Sequence, residues 1–376
     1  MNAPPTEGLA RMTDGIDSYA RVEVVRAAFA AGEIVIVTDD DDRENEGDLF
    51  VAASLCTPEK MAFIIRHTSG IVCAPLCAQE AKRLHLDPMV AANDAPLGTA
   101  FTVSIDCRHG LTTGISAEER CNTVRALANP NSGATDFVRP GHVFPLVAKE
   151  GGVLMRSGHT EACIDLCLLA GLPPVGVLAE LMNDDGTVMR GRAVSEFAKK
   201  HKLKQLSIAN LIAYRQTRDK LVRRIGEFPV QSEIGTLQGY AYVTPFDPIQ
   251  HMAFVYGRVG DGKDMLARLH RADVIRDVFG GAHPVHAALK RFKQEGRGVI
   301  IFLRDGTAGV PTHAIPQSDA SSSELARSLH WREVGLGAQI LKDLGINSIR
   351  LLTSTKRTFV GLAGFGIEIA ATEMIE

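Results

Sequence analysis

The stretch EIVIV, Glu33 to Val37, is short, continuous and β-branched, the pattern of a strand buried on both faces. Before it comes SYARVEVVRAAFAAGE, whose apolar residues recur at helical spacing and which closes near Gly32. A helix feeding a doubly covered strand is the unit of α/β architecture, and the alternation returns along the chain. TPEKMAFIIRHT reads as a helix with Thr57 as N-cap, Pro58 in the first turn and Glu59 at the positive end of the dipole. SAEERCNTVRALA opens on a Ser116/Glu119 capping box. HTEACIDLCLLAG predicts a helix and PVGVLAELMNDDGTV a strand and turn, followed by two amphipathic helices, RAVSEFAKKHKLK and SIANLIAYRQTRDKLVRR. LFVAASL and AFTVSID read as strands, and NPNSGATDFVRPGHVFP as a long polar loop.

The chain has 376 residues, which favours two domains. Its texture changes near residue 218. From GEFPVQSEIG to VYGRVG the sequence is β-rich and punctuated by Gly and Pro. After it come AALKRFKQEG as helix, GVIIFLRDG as strand, VGLGAQILKDLG as helix and SIRLLTS as strand, with TAGVPTHAIPQSDASSSE as a Pro/Ser-rich connector. The expected domains are 1–218 and 219–376. A net charge of −3 gives no basic footprint for nucleic acid or an anionic membrane. The amino-terminal residues do not pair a basic segment with an apolar one, and the longest apolar stretch is broken by Pro173 and Pro174, so a cytoplasmic protein is expected. The seven cysteines, Cys56, Cys73, Cys77, Cys107, Cys121, Cys163 and Cys167, include no C-x-x-C pair and all precede residue 168. They read as buried free thiols.

Four places carry candidate chemistry. DDDDRENEGD, Asp39 to Asp48, packs seven carboxylates around Arg43 where the first strand ends. It reads either as a solvated acidic turn or as a ligand site at a strand terminus, with an arginine for phosphate and oxygen donors for a hard divalent cation. In RSGHTEACIDL, His159 and Thr160 fall where a helix begins, next to Arg156. That suits an anion at the helix N-terminus or simply a capping histidine. His142 follows a Pro-Gly turn, and Glu180 ends an apolar strand where a carboxylate is costly without a partner. Together they suit enediolate chemistry on a phosphorylated sugar, with a metal stabilising oxyanion charge and a carboxylate or imidazole moving protons. A metal-dependent phosphosugar isomerase would need the same equipment.

DDDDRENEGDLFVAA, TTGISAEER, FVRPGHVFPL, RSGHTEACIDLC and ELMNDDGT resemble, in order, the motifs of 3,4-dihydroxy-2-butanone 4-phosphate synthase of riboflavin biosynthesis. The resemblance covers roughly residues 15 to 215. It implies an α/β (α+β) fold with a mixed sheet, and a metal-dependent lyase that uses Mg2+ or Mn2+ to convert D-ribulose 5-phosphate into formate and L-3,4-dihydroxy-2-butanone 4-phosphate. It also implies a homodimer. Position by position it makes Glu44 and His159 metal ligands. Arg43, Glu46 and Asp48 contact the sugar, Arg156 and Thr160 the phosphate with Thr112 or Thr113 nearby, and His142 and Glu180 are the catalytic pair.

Residues 219–376 resemble GTP cyclohydrolase II through HMAFVYGRV, RLHRAD, DVFGG, EGRGVIIFLR, VGLGAQILKDLGINSIRLLT and VGLAGFGIEI. That family binds zinc with three cysteines. Here their places hold Asp273, Pro284 and His286, and no cysteine exists in this half, so no sulfur-ligated zinc is expected. Asp273, His283 and His286 are candidates for a makeshift oxygen–nitrogen site. RDGTAGVP replaces a guanine- and phosphate-reading segment, LLTSTK departs from the family's L-L-T-N-N-P, and Arg332 keeps its place while its partner Asp is replaced by His330. The expectation is an α/β domain that is catalytically inactive and structural or regulatory, with residual cyclohydrolase activity as the alternative.

Overall fold

The computed structural model describes residues 14–39, 45–95, 97–220, 222–245, 249–273, 277, 283–304, 335–354 and 367–375. The chain divides into two compact units, Met1–Arg215 and Gln216–Glu376.

In the first unit the elements run α1 (Asp14–Ala30), β1 (Val35–Thr38), β2 (Gly47–Ala52), α2 (Pro58–His67), β3 (Cys73–Leu76), α3 (Ala78–Arg83), β4 (Ile105–Cys107), α4 (Ala117–Leu127), β5 (Phe137–Val147), α5 (His159–Leu169), β6 (Gly176–Glu180), α6 (Arg192–His201), β7 (Lys204–Ser207) and α7 (Ile208–Arg218). The strands form one mixed sheet in the order β4-β5-β3-β6-β2-β1-β7. The β1/β7 and β3/β5 pairs are parallel, while β2 runs antiparallel to both β1 and β6. Side-chain alternation along these strands builds two cores. Ile36, Leu49, Val51, Val177 and Ala179 pack with Met61 and Ile64 of α2, Val124 of α4 and Val194 of α6. Val35, Val37, Phe50 and Leu178 pack on the other face with Phe29 of α1, Leu166 of α5 and Leu211 of α7. Helices cover both faces, which is why the strands read as continuous apolar runs.

Local chemistry sets the helix ends. Thr57 accepts the Lys60 N–H at the start of α2, with Pro58 at the first position. In α4 the Glu119 N–H donates to Ser116 Oγ. The Glu119 carboxylate turns instead to the Ser116 hydroxyl and the Thr112 N–H, at 2.8 and 2.6 Å, so the expected capping box is replaced by a clamp on the preceding turn. The cysteines are free, five of them buried and Cys77 and Cys107 partly so.

The structure corrects several elements. LFVAASL is strand only to Ala52 and continues as a 3-10 turn over Ala53–Leu55. AFTVSID contributes only the short β4. The expected polar loop contains the long strand β5. Its ladder is interrupted: Asp106 pairs with Val138 but Ile105 pairs with Val143, so residues 139–142 bulge out of register. Pro and polar residues in that bulge hid the strand.

The second unit contains β8 (Arg223–Ser232), β9 (Gly235–Val243), β10 (Gln250–Tyr256), β11 (Met265–Arg271), α8 (Pro284–Glu295), β12 (Gly298–Leu303), β13 (Ser348–Thr353) and β14 (Glu368–Met374), with residues 335–343 helical. DKLVRR, expected as the end of a helix, leads into β8. Its sheet is also mixed, in the order β14-β13-β11-β12-β10-β9-β8. Strands β8 to β10 form an antiparallel meander, and β11 runs parallel to β12 and β13. The connector 307–324 lies outside the described residues, as do Arg332, His330 and most of RDGTAGVP.

Candidate active site

The central strands of the first unit deliver the first group of polar residues. Asp48 sits on β2, 2% exposed, between Val37 of β1 and Glu180 of β6 in register. His159 opens α5 and is also buried. Its Nε2 lies 3.9 Å from Asp48 Oδ1 and its ring meets Phe50 edge-on. Glu180 ends β6, where its Oε2 accepts the Ser69 hydroxyl at 2.7 Å and its carbonyl accepts the Ser69 N–H. Cys73, on the neighbouring β3, has its thiol pKa pushed well above the ordinary value, first by burial and then by the Glu180 and Asp48 carboxylates. The register of three strands gathers two carboxylates and a thiol, and the start of α5 brings the imidazole beside them.

His142 belongs to the β5 bulge. Its Nδ1 lies 2.7 Å from Asp106 Oδ2, and its backbone N–H donates to Asp106 Oδ1 at 2.8 Å. Asp106 is buried while the His142 side chain is 41% exposed, so the carboxylate fixes the imidazole from below and leaves Nε2 outward. Two glycines make room for this clasp. A Cβ on Gly141 would stand 2.0 Å from the Ile105 backbone carbon, and one on Gly114 would stand 2.1 Å from Asp106 Oδ2 and 2.7 Å from His142 Nδ1. A buried arginine, Arg120, lies within electrostatic reach of the clasp. Arg120 feels the Asp106 charge and donates to the Gly70 carbonyl at 2.9 Å, next to the Ser69 that holds Glu180. Burial is the larger influence on Arg120 and lowers its pKa.

At the start of α5 the cap is Gly158, where a Cβ would meet Arg156 Nη1 at 2.4 Å and Glu161 Oε2 at 2.8 Å. Arg156 donates to Glu161 Oε2 at 2.7 Å, to Thr99 Oγ1 and to the Leu97 carbonyl. Thr160 is buried beside it. Glu46 pairs with Arg190 at 2.8 Å, and its N–H donates to Asp39 Oδ1. Thr113 is exposed in the turn between Thr112, which donates to Glu119, and Gly114. The backbone donors of Thr112 and Gly114 lower the Glu119 pKa to about 2.

Of the expected residues, Asp48, His159 and Glu180 come together, and His142 is clasped by Asp106. Arg156 and Thr160 share the α5 N-terminus. Arg43 and Glu44 lie outside the described residues. Among the described residues no group of three His, Cys, Asp or Glu side chains is disposed to hold a metal. Of the two expected metal ligands, His159 is buried at the start of α5 and Glu44 lies outside the described residues. Sequence reasoning missed Asp106, Ser69, Arg120 and Cys73 as members of the site. The one available signal was Asp106, a carboxylate inside an alternating strand. In the second unit, His283 and His286 have ring centroids 5.5 Å apart, while the Asp273 N–H and His270 both contact Asp277. Pro284 is buried in the first turn of α8.

Residues 23–214 match the 3,4-dihydroxy-2-butanone 4-phosphate synthase family and residues 223–375 the GTP cyclohydrolase II family. A rice relative, the probable bifunctional riboflavin biosynthesis protein RIBA 1, chloroplastic, of Oryza sativa subsp. japonica, is 44% identical over 97% of this chain and 70% of its own. The crystal structure of RibBX, a two-domain 3,4-dihydroxy-2-butanone 4-phosphate synthase from A. baumannii, superposes with a TM-score of 0.79 at 36% identity, covering 94% of this chain and 98% of that one. A 3,4-dihydroxy-2-butanone 4-phosphate synthase in complex with two magnesium ions covers 52% of this chain and 97% of its own at 44% identity, with a TM-score of 0.52. The chain belongs to the riboflavin-biosynthesis family in which a 3,4-dihydroxy-2-butanone 4-phosphate synthase domain is fused to a GTP cyclohydrolase II-like domain.

Proposed function

We propose that the first unit, within residues 1–218, converts D-ribulose 5-phosphate into L-3,4-dihydroxy-2-butanone 4-phosphate and formate as a metal-dependent lyase and a homodimer. The observation that carries this reading is the meeting of Asp48 and Glu180 in register on β2 and β6 with His159 at the start of α5, together with the clasp of buried Asp106 on His142. Glu44 and His159 would hold Mg2+ or Mn2+, which supplies Lewis-acid stabilisation of oxyanion charge. Asp48, Glu46 and Arg43 orient the sugar. Arg156, Thr160 and the first turn of α5 hold the phosphate, where helix N–H groups favour an anion. Asp106 fixes His142 in the tautomer with Nδ1–H, so that Nε2 takes and returns a proton. Glu180, held by Ser69, is the second proton-transfer group.

The second domain, 219–376, is a framework without cyclohydrolase chemistry in this reading. The support is chemical: no cysteine follows residue 167, and a buried Pro284 stands where a zinc ligand would be. A bifunctional enzyme is the second reading, favoured by the naming of the rice relative as probably bifunctional.

The test is ribulose 5-phosphate labelled with 13C at C4. The synthase reading predicts labelled formate, stopped by EDTA and restored by Mg2+. A phosphosugar isomerase would rearrange the substrate and release none.

A further inference from the structure

Glu161 stands in the first turn of α5 and is 1% exposed. The proposed chemistry gives it no task, yet both of its oxygens are engaged. Oε1 accepts the Lys149 N–H at 2.9 Å, and Oε2 accepts Arg156 Nη1 at 2.7 Å. Both partners are donors only, so the group between them must accept at both ends, as a carboxylate does and an amide does not. Gly158 completes the arrangement. Its φ of −110° and ψ of 159° are extended values open to any residue. A Cβ there, however, would stand 2.4 Å from Arg156 Nη1 and 2.8 Å from Glu161 Oε2. The guanidinium is also gripped through Nη2, which donates to the Leu97 carbonyl at 3.1 Å and to Thr99 Oγ1 at 3.3 Å. Together these bonds engage three of its N–H groups and leave Nε–H and one Nη1–H. The Arg156 side chain remains 16% exposed.

We infer that Glu161 is a positioning residue for the substrate phosphate: it holds the Arg156 guanidinium in the orientation that presents Nε–H and the second Nη1–H to that group. The inference rests on the synthase reading, in which Arg156 meets the phosphate of ribulose 5-phosphate. An arginine side chain is rich in rotamers, and fixing it before the ligand arrives removes an ordering cost from binding. The Lys149 bond anchors the carboxylate in turn, so the grip does not depend on the ligand. A carboxylate near a phosphate also repels it. Here its charge is balanced by the guanidinium it holds, so the pair offers directed N–H groups in place of net positive charge. Orientation and charge therefore predict opposite signs. If net charge governed the site, neutralising Glu161 would tighten anion binding. With orientation governing, neutralising it weakens binding, because an amide must turn its NH2 toward either the Lys149 N–H or Arg156 Nη1 and release that partner.

Two variants of the full chain test it by different routes. Glu161→Gln removes the second acceptor, while Gly158→Ala keeps both charges and pushes them apart. Circular dichroism and Tm without ligand check that each is folded. Formate release from ribulose 5-phosphate with Mg2+ gives kcat and KM, and calorimetry with sodium phosphate on EDTA-treated chain reads the anion contact without turnover. The expected result is a rise of about tenfold in both KM and the phosphate Kd in each variant, the scale of a lost charge-assisted bond, with kcat falling by less than KM rises. Rescue is expected in neither variant by raising Mg2+, since the defect lies at the phosphate. A fall in kcat and Tm with an unmoved phosphate Kd would make Glu161 merely structural and overturn the inference. So would phosphate binding in folded Glu161→Gln as tight as in the parent or tighter, or a parent chain with no saturable phosphate heat at about 10 mM. A parent chain that binds phosphate but releases no formate would contradict the synthase reading instead, and the calorimetry would still judge Glu161.

Discussion

The two units share an architecture of mixed seven-stranded sheets but differ in what the sheets bury. In the first unit the carboxylates Asp39, Asp48, Asp106, Glu161 and Asp165 are all buried, as is His159. In the second the buried polar groups are mainly His251, Arg268, His270 and hydroxyl residues, with no buried carboxylate among the described residues. Burying a carboxylate is costly unless every oxygen has a donor or a cation. A chain that keeps five such groups in one unit, and pairs them by register and by glycine-sized gaps, has kept the means of acid–base chemistry there. The comparison teaches that an apolar framework and a reactive site are separable properties of a sheet.

The largest effect that can break this contrast is at the proton-transfer groups. His142→Ala and Glu180→Gln are each expected to lower kcat for formate release from ribulose 5-phosphate by about 10³–10⁴-fold, while Asp273→Asn in the second unit leaves it within about twofold. Steady-state rates on purified variants decide this; a second-unit change that costs as much would erase the distinction between units.

Next comes the burial of charge itself. Arg215 holds Asp165 at 2.8 Å, and Gly152 gives them room. Arg215→Ala leaves a buried carboxylate without that partner and is expected to cost about 3–5 kcal/mol in urea unfolding. A loss below about 1 kcal/mol would show that burial in this unit is not as demanding as the contrast requires.

Asp106→Asn sharpens the contrast inside the site. The amide cannot hold Nδ1–H of His142 in the same way, so kcat should fall by about 10²-fold or more with little change in KM. A kcat that holds while KM rises would contradict this positioning role.

The smallest expected effect concerns Glu119. Its pKa is lowered to about 2, chiefly by backbone N–H donors from Thr112 and Gly114. A depressed folded-state pKa gives stability that is fully present above the ordinary carboxylate value of about 4.3 and fades as pH falls toward about 2. Glu119→Gln should therefore flatten that acid limb and leave its shape unchanged above about pH 5. Urea midpoints across the range measure it.

Much of this was legible in the sequence, for stated reasons. Val35 to Val37 and Leu49 to Ala52 announce doubly covered strands because both faces are apolar, and Thr57–Pro58 and Ser116 announce helix starts because capping is local. Glu180 and His159 stood out as polar groups where an apolar element ends or begins. What stayed hidden depends on contacts across the sheet. The β5 bulge looked like a loop because Pro140 and Gly141 are turn residues, and only pairing with β4 makes it a strand. Asp106, Ser69 and Arg120 became members of the site through partners 36, 111 and 50 residues away, a separation no periodicity encodes.

The central claim is that the synthase unit is reactive and the cyclohydrolase-like unit is not. Its most direct test is formate release by the full chain, measured in parallel on ribulose 5-phosphate with Mg2+ and on GTP with both Mg2+ and Zn2+. The account predicts formate from the sugar phosphate alone. Stoichiometric formate from GTP, or none from ribulose 5-phosphate, would contradict it.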